Sequence, residues 1–177
     1  LARFRIWRML IISDLFNLSL GEHELKINSA DIAGNISETS TKFKIISSID
    51  SAILDIERSY GEGLIEKEQV KDKLIKGLEW IKEFTEKHGE KEEKIDEKIK
   101  EKISKCQKRK NKNQCEERTK RHADRTCYML DNVYERIILA KYEIILKELE
   151  SCYKKEWISD KGYGIIQEDI EYLINNL

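Results

Sequence analysis

The hydrophobic period of the chain changes near residue 47, and that change decides most of what it can fold into. Before it, His23, Leu25 and Ile27 alternate with Glu22, Glu24 and Lys26, and Phe43 and Ile45 alternate with Lys42 and Lys44. Period two is the mark of a half-buried strand. Ala33-Gly34-Asn35 between the two runs carries residues that tolerate positive φ, so it reads as a turn. Arg3–Ile12 reads as a third strand, with Phe4 and Ile6 alternating with Arg3 and Arg5. Three strands are too few for a sandwich of about seven. Either upstream strands are missing or the sheet packs on the helical part of the chain.

From Ser48 the period is helical. Ile49, Ile53, Ile56 and Tyr60 share a face, and Gly61-Glu62-Gly63 stops that helix. Val70, Leu74, Leu78, Ile81 and Phe84 mark a second, ending at His88-Gly89. Ile95, Ile99, Ile103 and Cys106 mark a narrow third. Cys127, Leu130, Tyr134 and Ile137 continue through Ile138, Tyr142, Ile145, Leu149 and Cys152 as the longest. Ser159-Asp160 caps a fifth, with Ile166, Ile170, Leu173 and Ile174 inward. The 177 residues contain no proline, where average usage gives about nine, so long uninterrupted helices are favoured. Tyr60-x4-Ile65 and Tyr153-x4-Ile158 echo one another, but the spacing is lost within about ten residues. They read as two similar helix starts rather than a repeat. The expected fold class is α+β: a small antiparallel sheet over 1–47, then an α-helical bundle over 48–177 with a long charged hairpin at about 86–126.

Charged residues make up 38% of the chain and apolar residues 40%, with a net charge of −1. That balance predicts thin cores and solvated helix faces, and excludes a chain that is polybasic or polyacidic throughout. No apolar run reaches the ~20 residues of a membrane span. Leu1 is not an initiator methionine, so a fragment or processed product is expected.

Charge is nevertheless concentrated. Residues 105–125 hold Lys105, Lys108, Arg109, Lys110, Lys112, Arg118, Lys120, Arg121 and Arg125 against Glu116, Glu117 and Asp124, a net of +6. The flanking segments 48–104 and 126–177 each sum to −4. A basic tip of this kind can meet an anionic polymer through counterion release. Lys108, Arg109, Lys110, Lys112, Arg118, Lys120 and Arg121 form the candidate anion-contact patch. No aromatic residue lies between Phe84 and Tyr128 to stack a base, which argues against nucleic acid. The leading reading of this block is a solvated loop with no partner, and a weak anionic-polymer contact is the alternative to it.

Catalytic chemistry has little support. His23, His88 and His122 have no Ser or Cys in a nucleophile setting beside them. The abundant carboxylates interleave with Lys at helical spacing, as in 90–98, which is the pattern of a solvated helix. No phosphate-binding glycine loop and no HExxH is present. Asp31 and Asn35 fall short of the six to eight oxygens calcium takes, and turn formation explains them. Trp7, Trp80 and Trp157 read as core anchors, with Trp157 alternatively lining a groove.

Two stretches resemble known bacterial modules. Leu20-Gly-Glu-His23, Asp31-Ile-Ala-Gly-Asn35 and Phe43-Lys-Ile45 resemble the closing strands of bacterial Ig-like domains, over about 13–46. Ile53–Ile65 and Trp157–Ile166, with Asp169 and Tyr172-Leu-Ile174, resemble the first and last helices of the FIMAH domain, a C-terminal α-helical module of bacterial extracellular proteins. The 86–126 hairpin has no counterpart in that pattern and reads as an insertion. The resemblance implies an extracellular or cell-surface location. It implies a location more than a chemistry: a non-catalytic accessory or attachment role without cofactor is expected there, with a cell-envelope polymer, such as a polysaccharide, or another domain of the same protein as candidate partners.

In that location the cysteines are expected to form disulfides. A continuous helix from Cys127 to Cys152 would hold them roughly 37 Å apart at 1.5 Å per residue. One bond is therefore expected among Cys106, Cys115 and Cys127, with Cys152 unpaired unless the helix breaks, for instance at Asp131-Asn132. The alternative reading takes Cys106, Cys115, His122 and Cys127 as zinc ligands, stabilising a basic hairpin that binds nucleic acid. It lacks a CxxC knuckle, and Cys127 opens an apolar stripe.

Overall fold

Two ten-residue strands, β1 (Gly21–Ala30) and β2 (Ile36–Ile45), pair antiparallel from Gly21 against Ile45 to Ala30 against Ile36. The computed structural model describes residues 18–31, 33–108 and 111–177, so the strand expected over 3–12, with Trp7, lies outside the described residues. At the turn, Asn35 donates from Nδ2 to Asp31 Oδ2 (2.7 Å) and from its backbone N–H to Oδ1 (2.9 Å). These bonds favour the charged form and hold the Asp31 carboxyl below its usual range. Gly34 adopts φ +84°, the left-handed conformation the turn requires. His23 stacks on its cross-strand partner Phe43, ring centres 5.5 Å apart.

The chain divides after Ile46, and residues 47–177 form four helices: α1 (Ile49–Gly61), α2 (Glu68–Gln107), α3 (Lys112–Lys154) and α4 (Asp160–Asn175). Ser48 and Ser51 cap α1 reciprocally, Ser48 Oγ accepting from the Ser51 N–H (3.1 Å) and Ser51 Oγ from the Ser48 N–H (2.6 Å). Ser159 caps α4 through Gly162 N–H (3.2 Å).

Two sequence expectations need correction. The helix expected to end at His88-Gly89 runs on as one 40-residue α2. A mid-helix glycine costs about 1 kcal/mol, and here no proline adds to it. Lys87–Glu83 and Lys94–Glu90 pairs lie on either side of Gly89. The helix expected to open at Cys127 starts at Lys112 and passes Asp131-Asn132 unbroken.

The core joins all four helices. Ile56 of α1, Leu74, Leu78 and Ile81 of α2, Ile138, Tyr142, Ile145 and Leu149 of α3, and Ile166 and Ile170 of α4 are buried together. Burial pushes the Tyr142 hydroxyl up to about 12. Trp80 does not anchor this core. It is 40% exposed, stacks on Phe84 (5.0 Å) and carries the Lys141 ammonium 5.3 Å above its ring. Trp157 is half-buried at the edge of the core, with the Lys67 ammonium 3.6 Å over its ring.

The echoed segments meet. The Trp157 carbonyl accepts from Glu66 N–H (3.0 Å) and the Leu64 carbonyl from Ser159 N–H (2.9 Å), so Ile65 and Ile158 form a short antiparallel bridge. Both loops turn alike: Gly63 N–H donates to the Tyr60 carbonyl and Glu156 N–H to the Tyr153 carbonyl. Both use a left-handed residue three after the tyrosine, Gly63 at φ +75° and Glu156 at φ +59°. Gly162 packs close to this bridge. A Cβ there would sit 3.1 Å from both the Leu64 Cβ and its carbonyl oxygen.

Between α1 and α4, Asp169 is 4% exposed, with Ser47 and the Asp55 carboxyl beside it and one carboxylate oxygen, Oδ2, without a partner. Burial, followed by the neighbouring charges of Asp55 and Glu168, raises the Asp169 pKa to about 7. Asp55 is raised too, by burial, although its hydrogen bond with Asp169 and the charge of Arg58 work against it.

The Glu156 backbone and the buried Asp169 carboxyl each make a measurable contribution to stability. Glu156→Gly relieves about 1–2 kcal/mol of left-handed backbone strain in an L-residue but adds unfolded-chain entropy, so the bundle should be unchanged or stabilised by up to about 1 kcal/mol in denaturant titration; clear destabilisation would contradict the φ assigned there. The neutral Asp169 favours the fold, so its contribution is complete below about pH 4 and is lost as pH rises through about 7. The melting temperature should therefore fall by several degrees between pH 5 and pH 8, and Asp169→Asn should flatten that profile. An equally steep profile in the variant would assign the dependence elsewhere.

Candidate functional site

Beyond Ile81 and Ile138 the fully buried core stops, and α2 and α3 continue together as a two-helix hairpin. Its inner stripe, Ile95, Ile99 and Ile103, is only half-buried, because two helices alone cannot enclose an apolar face. Burial returns at Cys106 (3% exposed) and Ala123 (8%). There the structure pairs Cys106 with Cys115, Cα atoms 5.6 Å apart, tying the last turn of α2 to the first turn of α3. Cys127 and Cys152 are free. Cys127 lies twelve residues beyond Cys115 on the unbroken α3, roughly 18 Å away at 1.5 Å per residue. It can join neither that bond nor a tetrahedral site with Cys115, so the zinc set Cys106, Cys115, His122 and Cys127 is not assembled.

The bond compensates for a poor helix start. Asn111 at the N-cap of α3 makes no side-chain capping bond, and the first turn holds no acidic residue. Basic Lys112 sits instead at the positive end of the helix dipole. Cross-linking this turn to α2 holds it in place despite that unfavourable charge.

Of the candidate patch, Lys108, Lys112, Arg118, Lys120 and Arg121 are exposed, while Arg109 and Lys110 lie outside the described residues. The hairpin gathers only some of these around a common surface. Ile95, Lys98, Ile99 and Lys102 of α2 face Arg118, Thr119, His122 and Ala123 of α3 across a groove of about 330 Å³. On the outer side of α3, Arg118, Arg121, His122, Arg125 and Met129 line a second depression of about 460 Å³. Arg118 and His122 belong to both. Arg121 is paired with Glu117 (2.8 Å); among the described residues, Lys98, Lys102, Arg118 and Arg125 have no carboxylate within ion-pair distance. Lys108, Lys112 and Lys120 line neither depression.

Lys98, Lys102, His122 and Arg125 were not in the candidate patch. The missing signal was available: folding the chain back about a Cys106–Cys115 pair sets Lys102 opposite Thr119 and Lys98 opposite Ala123. Chemically the groove offers long flexible cations along an apolar floor, a surface suited to a linear polyanion rather than to one fixed phosphate.

Closing a loop this short by a disulfide contributes on the order of 2–3 kcal/mol. Cys106→Ser with Cys115→Ser should therefore speed amide hydrogen exchange across residues 95–126 while residues 49–84 keep their protection. Uniform exchange in both regions, or none changed, would count against a hairpin that depends on its tip.

No protein-family model, curated protein or solved structure matches this chain.

Proposed function

We propose that this chain is a non-catalytic extracellular attachment module whose hairpin holds an anionic polysaccharide or other envelope polymer. The observation that carries the reading is the groove between α2 and α3. Its rim is formed by Lys98, Lys102 and Arg118, long cations with no carboxylate partner among the described residues, above an apolar floor of Ile95 and Ile99. Neighbouring Arg125 extends the same positive surface.

No helix among the described residues is long and apolar enough to cross a membrane. Two points support the reading. The Cys106–Cys115 bond suits an oxidising compartment. The order of a β segment followed by a helical bundle is the one implied by the resemblance to Ig-like and FIMAH modules. An acidic polysaccharide is favoured over nucleic acid because no Phe, Tyr or Trp lines either depression to stack a base. The contact is weak, salt-sensitive and tolerant of polymer sequence, as expected for exposed cations.

Retention on immobilised heparin checks this directly. The protein should bind at low salt and elute as salt rises. Lys98→Glu with Lys102→Glu and Arg118→Glu should pass through the column with an unchanged circular dichroism spectrum. Wild-type protein that is not retained, or a variant retained equally, would overturn the reading. Single-stranded DNA that displaces the protein at far lower concentration than an acidic glycan would favour the nucleic-acid alternative.

A further inference from the structure

At the base of the hairpin, where the closed core gives way to the two-helix extension, lies a cluster the anionic-polymer reading does not use. His88 of α2 packs against Tyr134 of α3, ring centres 4.1 Å apart. The Tyr134 hydroxyl shares a 2.8 Å hydrogen bond with Thr85 Oγ1, and Thr85 also donates to the Ile81 carbonyl (2.9 Å). The imidazole is thus held in one orientation by a ring that is itself anchored. Glu92 follows one turn later on α2, with its Oε2 3.8 Å from His88 Nδ1. Asp131 projects from α3, with its Oδ1 3.7 Å from His88 Nε2.

These separations are too long for hydrogen bonds, and they leave a polar atom stranded. His88 Nε2 is buried and has no hydrogen-bond partner. A buried ring nitrogen without a partner is costly, and native structures rarely leave one. One nitrogen of His88 and one oxygen each from Glu92 and Asp131 lie within 4.8 Å of one another. A tetrahedral ion with bonds of about 2.0–2.2 Å holds its ligands about 3.4 Å apart. Glu92 lies nearer Nδ1 and Asp131 nearer Nε2, so one of the two carboxylates must turn to share an ion on a single nitrogen, and both are about half exposed with room to do so.

We infer that His88, Glu92 and Asp131 form a binding site for a divalent transition metal of the zinc class, bridging α2 and α3 at the root of the hairpin. The donor set decides the class. An imidazole nitrogen with two carboxylates suits zinc and its first-row neighbours, whereas calcium and magnesium take oxygen alone. Three protein ligands leave one position open, beside a cavity of about 400 Å³ lined by Thr85, Gly89, Tyr134, Glu135 and Leu177 as well as the ligands themselves. Water or an exogenous anion completes the coordination from that side. The ion clamps the two helices where their shared apolar core ends, as the disulfide clamps them at the tip.

Calorimetric titration of the metal-stripped full chain with zinc chloride tests this. One equivalent should bind and raise the melting temperature. Glu92→Gln and Asp131→Asn keep side-chain size on exposed positions and should each weaken zinc at least about tenfold. His88→Gln should do the same. Cys127→Ser should leave binding unchanged, and magnesium or calcium in excess should not compete. Absence of zinc binding by the wild-type chain overturns the inference. So does binding that survives all three ligand substitutions, binding removed by Cys127→Ser or His122→Gln instead, or equal affinity for magnesium.

Discussion

The pairing of the two loops at Ile65 and Ile158 is the contact on which the helical unit depends. Each loop alone is a tight reversal between two helices, with carbonyls and N–H groups that need partners once buried. Joined through Leu64, Glu66, Trp157 and Ser159, they satisfy one another. The bridge fixes α1 and α2 against α3 and α4, and it brings Ile65 and Ile158 themselves into the core at 1% and 2% exposure. Gly162 permits α4 to start against the Leu64 backbone, and any larger residue would push on the bridge itself.

From that fixed end the antiparallel register of α2 and α3 runs outward without interruption. Lys73 meets Glu148, Gly77 lies against Ile145, Thr85 meets Tyr134, His88 faces Asp131 and Cys106 bonds Cys115. Proline-free sequence is what lets two helices of 40 and 43 residues keep this register. The energetics change along the way. Near the bridge the helices are covered by α1 and α4 and bury whole side chains. Past His88 only a half-buried isoleucine stripe joins them, and the surface ion pairs along it, such as Lys94–Glu90 and Lys105–Glu101, are worth a few tenths of a kcal/mol each. Such an extension is held at its ends rather than along its length.

Much of this was legible in the sequence. Period two gave the strands, period 3.6 the inward faces of all four helices, and Ser48 and Ser159 sit where the helices start. The failures share one cause, which is reliance on local signals. Gly89 looked like a stop because glycine usually is one, yet the fold tolerates its small penalty where no steric block accompanies it. Trp80 looked like a core anchor because of its size, yet stacking and a cation let it stay near the surface. The echo around Tyr60 and Tyr153 is no such failure: it reads in the sequence as two similar helix starts, its spacing being lost within about ten residues. The similarity is confined to the turn, where the stretch from tyrosine to isoleucine must adopt one conformation, and the helices beyond are free to diverge.

The basic groove was legible only in part for the same reason. A charge count along the chain finds Arg118 and Arg121, but Lys98 and Lys102 lie in a segment of mixed charge and become part of the surface only when the hairpin folds back. His88 and Asp131 are 43 residues apart in sequence, and no spacing motif links them. The register that joins them is set at two distant points, the Ile65–Ile158 bridge and the Cys106–Cys115 bond. A slip of one residue between α2 and α3 would rotate Asp131 about 100° away from His88 and turn Arg118 away from Lys98 together. The groove and the His88 cluster are therefore both consequences of one helix alignment.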